Sequence, residues 1–274
     1  MDTLNHFLTW ISGHAQIEMA LLSVGVVITF LTRHTQRIPP FHPILTPRTE
    51  TPPPPVPGTL AAELAALGFT PVAKYDASMN PSVTMVIDVL LSADLRCLAA
   101  VVMVRTASRE FSFVEFDSDL APHGNLTTNN NNEPIIFYRP PDKMIAKAPW
   151  KKDLAGVFNL HQALCETASG CGFTPVLIKP ESVREHLING VRDSMDDQVK
   201  CGRMVKVSEG VYRASFKGAL IFFPLVAHKT IFSLIRNLRR PSDQAICARL
   251  EKRLQRAHLM REPYSASLRW TPAK

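Results

Sequence analysis

The sequence predicts an α+β fold: an N-terminal transmembrane helix and a proline-rich linker, then an antiparallel sheet with packed helices and a basic helical C-terminus. Three observations predict it. An apolar run without charge ends at Arg33, nine prolines crowd residues 39–57, and short β-branched runs alternate with turn residues from Thr70 onward. The chain divides accordingly into an N-terminal segment (1–38, with the transmembrane helix at about 16–34), a linker (39–57), a soluble α+β domain (58–217) and a basic amphipathic C-terminal part (218–274).

Residues 17–32, IEMALLSVGVVITFLT, hold no charge between Glu18 and Arg33, so a helix here is apolar on every face, which lipid tolerates and water does not. Such a run rises only about 24 Å, against a hydrocarbon core of about 30 Å. The span therefore draws on upstream Phe7, Leu8 and Ile11, with Trp10 at the interface. Arg33, Arg37 and Arg48 lie on the C-terminal flank, so the positive-inside bias puts the N-terminus outside the cell (inner) membrane and the soluble domain in the cytoplasm, as a single-pass protein. A cleaved signal is the main rival. It needs a basic n-region and a small-residue cleavage site, and residues 1–32 contain no Lys or Arg. A buried globular helix is the other alternative.

The linker includes four consecutive prolines, 52–55, which forbid helix and favour an extended spacer of about 3.1 Å per residue. The domain opens with a helix over residues 59–67 closed by Gly68. Strands are expected at 70–75, 83–91, 97–106 and 110–116, apolar on both faces and so central in a covered sheet. Residues 117–134, with asparagines at 129–132, read as loop, and 135–138 as a short strand. Helices follow at 153–169, capped by Asp153, and at 180–199, then a hairpin around Glu209-Gly210. Gly68-Phe69-Thr70-Pro71-Val72 recurs as Gly172-Phe173-Thr174-Pro175-Val176, a helix stop turning into an extended strand in both places.

Glu115, Asp117, Asp119 and His123 form the densest polar cluster. Period-two spacing puts the three carboxylates on one strand face, where they suit a hard cation or an acid–base pair. Asp117, Asp119 and His123 are the candidate catalytic residues. Phe111 and Phe113 share their parity, so that face is expected to run from buried out into solvent. His161 and Cys165 stand one helical turn apart, with Cys171 beyond, but without paired C-x-x-C spacing or a fourth ligand no metal site is assigned, and no cofactor is expected. Nucleotide-loop, nucleophile-elbow and zincin motifs are absent. Asn125-Leu126-Thr127 matches a glycosylation acceptor that a cytoplasmic location would leave unmodified. The five cysteines are odd in number and scattered, as in a reducing compartment.

Residues 229–274 carry eleven Lys or Arg against three acidic residues, a net +8 against +7 for the whole chain, so everything before Lys229 is close to neutral. Two basic amphipathic helices are expected, over 218–238 and from Ser242, the second with Ile246, Leu250 and Leu254 on one face. Lys229, Arg236, Arg239, Arg240, Arg249, Arg253 and Arg256 are the expected contacts with an anionic leaflet. Packing of 218–238 on the domain is the alternative. Nucleic-acid binding through Arg249 to Arg256 is disfavoured, because no aromatic residue lies among those basics to stack on bases.

GVYRASFKGAL before the basic tail, and FSFVEFDSDLAPHGNLTT upstream, resemble a set of uncharacterised bacterial single-pass membrane-anchored proteins; the resemblance implies no activity or site residue. The expected function is a membrane-tethered interaction or scaffolding module with a bilayer and an unidentified protein as partners, more non-enzyme than enzyme. The alternative is a membrane-bound, metal-dependent enzyme around Asp117, Asp119 and His123.

Overall fold

Period-two burial along one strand sets the plan of the molecule. In β5 (Glu110–Ala121), Val114, Phe116, Ser118 and Leu120 are buried on one face, and Phe111, Phe113, Glu115, Asp117 and Asp119 alternate onto the other. The computed structural model describes residues 42–49, 59–80, 83–106, 109–133, 137–227 and 240–266. Around β5 are ranged β1 (Ile44–Thr49), β2 (Phe69–Asn80), β3 (Val83–Ser92), β4 (Leu98–Thr106), β6 (Asn125–Asn129) and β7 (Lys143–Lys147), adjacent in chain order. Pairing is antiparallel throughout, except that β6 and β7 run parallel. A short β8 (Thr174–Pro175) pairs with the end of β5, and β9 (Met204–Ser208) with β10 (Val211–Ala214) forms a separate hairpin. The helices are α1 (Leu60–Ala66), α2 (Leu154–Gly170), α3 (Val183–Lys200), α4 (Phe216–Ala227) and α5 (Asp243–Ala266). This is an α+β architecture on a largely antiparallel sheet, as expected.

Local chemistry fixes the boundaries. Thr59 Oγ1 accepts from the Ala62 N–H, and Asp153 Oδ2 from that of Gly156, capping α1 and α2. Gly68 (φ 89°) and Gly172 (φ 84°) both adopt the left-handed region after a helix, and Phe69 and Phe173 behind them are buried, so the repeated pentapeptide is one corner used twice. Ser242 Oγ caps α5 by accepting from Ala245 N–H at 3.2 Å.

Both sheet faces are covered. On one, Leu64 of α1 and Leu154 and Val157 of α2 pack against Leu90, Val114 and Phe116. Further along, Leu160 and Leu164 of α2 meet Leu250 and Leu254 of α5 over Leu126 and Met144. On the other face, Val183 and Leu187 of α3 and the preceding Ile178 lie over Leu91, Leu98 and Ala100.

Several expectations are corrected. Ile44–Thr49, inside the expected spacer, forms the sheet edge paired with β2, with Pro47 tolerated because the strand has one free side. The stretch expected as loop at 117–134 is in part strand: β5 continues to Ala121 and Asn125–Asn129 is β6, while 122–124 and 130–133 are loop. Asn129, taken to have little use in a core, is 2% exposed, and its amide donates to Glu115 at 2.8 Å. Phe137 and Tyr138 are not strand; the strand lies further on, at Lys143–Lys147. The apolar stripe Ile246, Leu250 and Leu254 is real but faces α2 rather than lipid. Arg253, expected at the leaflet, turns inward and donates to the carbonyls of Arg139, Pro140 and Lys143 at 3.2, 2.7 and 2.9 Å. The transmembrane segment, residues 39–41 and 50–57 of the linker, and Lys229, Arg236 and Arg239 lie outside the described residues. Among the described residues no helix is long and apolar enough to cross a membrane.

Candidate metal centre

Register across three strands assembles a polar surface. Asp119 lies opposite Asn125 and Asn125 beside Lys143; Asp117 faces Thr127; Glu115 faces Asn129, which neighbours Lys147. The sheet surface thus grades from acidic on β5 through neutral on β6 to basic on β7. As expected, it opens towards solvent along β5, Asp117 being 19% and Asp119 43% exposed, but α3 lies over it: Val183 and Leu187 anchor that helix on the sheet, and His186, on the same helical stripe, points down between the carboxylates.

His186 Nε2 lies 3.3 Å from Asp117 Oδ2 and Nδ1 lies 3.1 Å from Asp119 Oδ2. With both nitrogens donating, the imidazole is a cation, and the hydrogen bonds to Asp117 and Asp119 push its pKa up to about 10 against the cost of burial. Burial would raise the Asp119 carboxyl, but the His186 hydrogen bond and charge, with Asn125 and Lys143, hold it below the usual carboxylate value. Asp117 also accepts from Asn125 Nδ2 at 3.0 Å and Thr127 Oγ1 at 2.7 Å. Glu115 is pushed up by burial and by the neighbouring Asp117 charge, against the Asn129 hydrogen bond and the Arg139 and Lys147 charges.

The donor set suits a divalent cation. One atom each from Asp117, Asp119 and His186 falls within 4.8 Å of the others, and opposed ligands of a hexacoordinate ion of Mg²⁺ or Mn²⁺ size stand about 4 Å apart. Two carboxylates with one imidazole select Mn²⁺, Fe²⁺ or Zn²⁺ over Ca²⁺. Asn125, whose amide now donates to both carboxylates, would add an oxygen ligand on rotating its amide.

Of the sequence candidates, Asp117 and Asp119 belong to this centre, and Glu115 stands beside it. His123 does not: it lies exposed in the turn between β5 and β6. His186 is the candidate ligand missed, since it is 69 residues from Asp117. Its one signal is a histidine in phase with Val183 and Leu187.

His161 and Cys165 are structural. His161 is 1% exposed and lies 3.0 Å from both Ser118 Oγ and Thr128 Oγ1. Ser118 gives its proton to the Arg96 carbonyl, so it accepts from His161 Nε2–H, leaving Nδ1 to accept from Thr128. Burial holds this neutral imidazole down at about 4 and raises the Cys165 thiol to about 11. All five cysteines are free thiols.

One further group borders the centre. Arg139 carries a buried Nε without a hydrogen-bond partner, and an unsatisfied buried donor costs about 1–3 kcal/mol. Burial lowers its pKa, against the Glu115, Asp117 and Asp197 charges. Comparison with protein-family models, characterised proteins and solved structures finds no match for this chain.

Proposed function

We propose that the chain is a membrane-tethered interaction module, N-terminus outside, whose cytoplasmic α+β domain binds a divalent cation at Asp117, Asp119 and His186. The observation that carries the binding is the convergence of three ligand atoms from β5 and α3 within 4.8 Å. The uncharged run before Arg33 and its basic C-terminal flank support the tether. Exposed Arg240, Arg249 and Arg256 keep a role at the anionic leaflet; Arg253 does not, its guanidinium being committed to the β6–β7 loop. Calorimetric titration of the full chain in detergent with Mn²⁺ tests the site. Wild type should bind, and Asp119→Asn should weaken binding about tenfold or more, equal to about 1.4 kcal/mol; equal affinity of the two proteins refutes the assignment.

A metal-dependent enzyme is the second reading, favoured by Glu115, a third carboxyl on the same strand face that is not hydrogen-bonded to His186. It requires that Glu115→Gln abolish turnover of a phosphoester or similar test substrate while Mn²⁺ affinity is kept. Turnover that survives this substitution removes the reading.

A further inference from the structure

The cation site alone does not account for Arg139. Its Nε is buried without a partner, although three carboxylates, Glu115, Asp117 and Asp197, lie within electrostatic reach. Each is already engaged: Asp197 by Lys143 at 2.9 Å, Asp117 by Thr127 and His186, and Glu115 by Asn129. The loop is also tied where it carries the arginine. Gln198 donates to the Tyr138 carbonyl and accepts from the Tyr138 N–H, at 2.9 and 2.8 Å, and Arg253 binds the carbonyls of Arg139, Pro140 and Lys143 from the other side. A loop tied at Tyr138 and at three of its carbonyls therefore holds an arginine whose Nε is unpaired, within electrostatic reach of Asp117.

What completes a guanidinium is an oxyanion. The single charge of His186 is shared between Asp117 and Asp119, with Glu115 on the same strand face, so further positive charge on these carboxylates favours entry of an anion. A divalent cation at Asp117, Asp119 and His186 supplies that charge, and hard cations held by a few carboxylates complete their shells with phosphate oxygens. The two halves need each other.

We propose that this cluster binds a phosphorylated ligand as its divalent-cation complex, with the cation on Asp117, Asp119 and His186 and a phosphoryl oxygen on Arg139. This rests on the cation reading above and adds the class of ligand.

The experiment is calorimetry on the full chain in detergent, with Mn²⁺ alone, inorganic pyrophosphate alone, and pyrophosphate with Mn²⁺ present. Pyrophosphate should bind at least about tenfold more tightly with Mn²⁺ than without it. Arg139→Met should weaken pyrophosphate binding about tenfold or more yet change Mn²⁺ affinity by less than about threefold. The same variant should melt no lower than wild type, because it removes an unsatisfied buried donor; a merely structural arginine would lower the melting temperature instead. Mn²⁺ binding with pyrophosphate indifferent to Mn²⁺ or to Arg139→Met overturns this inference and leaves the cation site standing. Absence of Mn²⁺ binding overturns both.

Discussion

His186 donates from both ring nitrogens to two carboxylates of one strand, so in the metal-free protein a protonated imidazole pins α3 to β5. Its folded pKa, about 10, lies above the ordinary 6.5, so this stabilisation is complete below pH 6.5 and disappears as pH rises through 10. The lowered Asp119 carboxyl acts in the opposite sense: its contribution is present above the ordinary value of 3.8 and is lost as pH falls through the lower folded value. Urea unfolding with chelator present should therefore show wild type losing on the order of 2 kcal/mol more than His186→Gln between neutral pH and pH 10; parallel curves would mean the pair is not formed. On the opposite sheet face, Ser118→Ala should cost about 1–3 kcal/mol, since it leaves His161 Nε2 and the Arg96 carbonyl without their shared partner. The two aspartates were legible in the sequence because strand periodicity alone puts them on one face. His186 was not, since only the tertiary crossing of α3 over β5 brings it there.

The elements make their own predictions, and two glycines of superficially similar helical setting separate them. Gly190, within α3, has open space where a Cβ would stand, so Gly190→Ala should stabilise by about 0.5–1 kcal/mol. Gly218, in α4, abuts the Arg203 carbonyl, and a Cβ there would overlap that oxygen, so Gly218→Ala should destabilise by about 2 kcal/mol or more. Thermal melting of the two variants, moving in opposite directions, checks the packing of both helices. Arg253→Ala should cost about 2–4 kcal/mol, as the carbonyls of the β6–β7 loop lose their charged donor. Strands β2 to β5 were legible because each carries buried apolar residues bounded by turn chemistry, such as the Ser92–Asp94 hydrogen bond before β4. Strands β6 and β7 were not, because NLTTN and KMIAK carry polar groups on the face that builds the site, and polarity there mimics a loop. Arg253 misled for a related reason: a basic residue on an amphipathic helix reads as solvated, and only the neighbouring loop turns it into a structural clamp.

At the scale of the molecule, the edge strand changes the proposed geometry at the membrane. With β1 beginning at Ile44, ten residues separate it from Arg33, a reach of at most about 36 Å, so the proposed tether would hold the sheet edge near the leaflet. Protease added outside intact cells should leave the domain whole and digest it only after permeabilisation; the reverse order would invert the topology. The sheet then presents its polar face beneath α3, where Asp117 and Asp119 of β5 and His186 of α3 meet. Pulsed electron paramagnetic resonance of Mn²⁺ bound to the full chain reads that meeting directly, through the nitrogen coupling of a ligating imidazole. The account predicts a nitrogen modulation in wild type that vanishes in His186→Gln while His123→Gln retains it; a modulation that survives His186→Gln, or none in wild type, would contradict it.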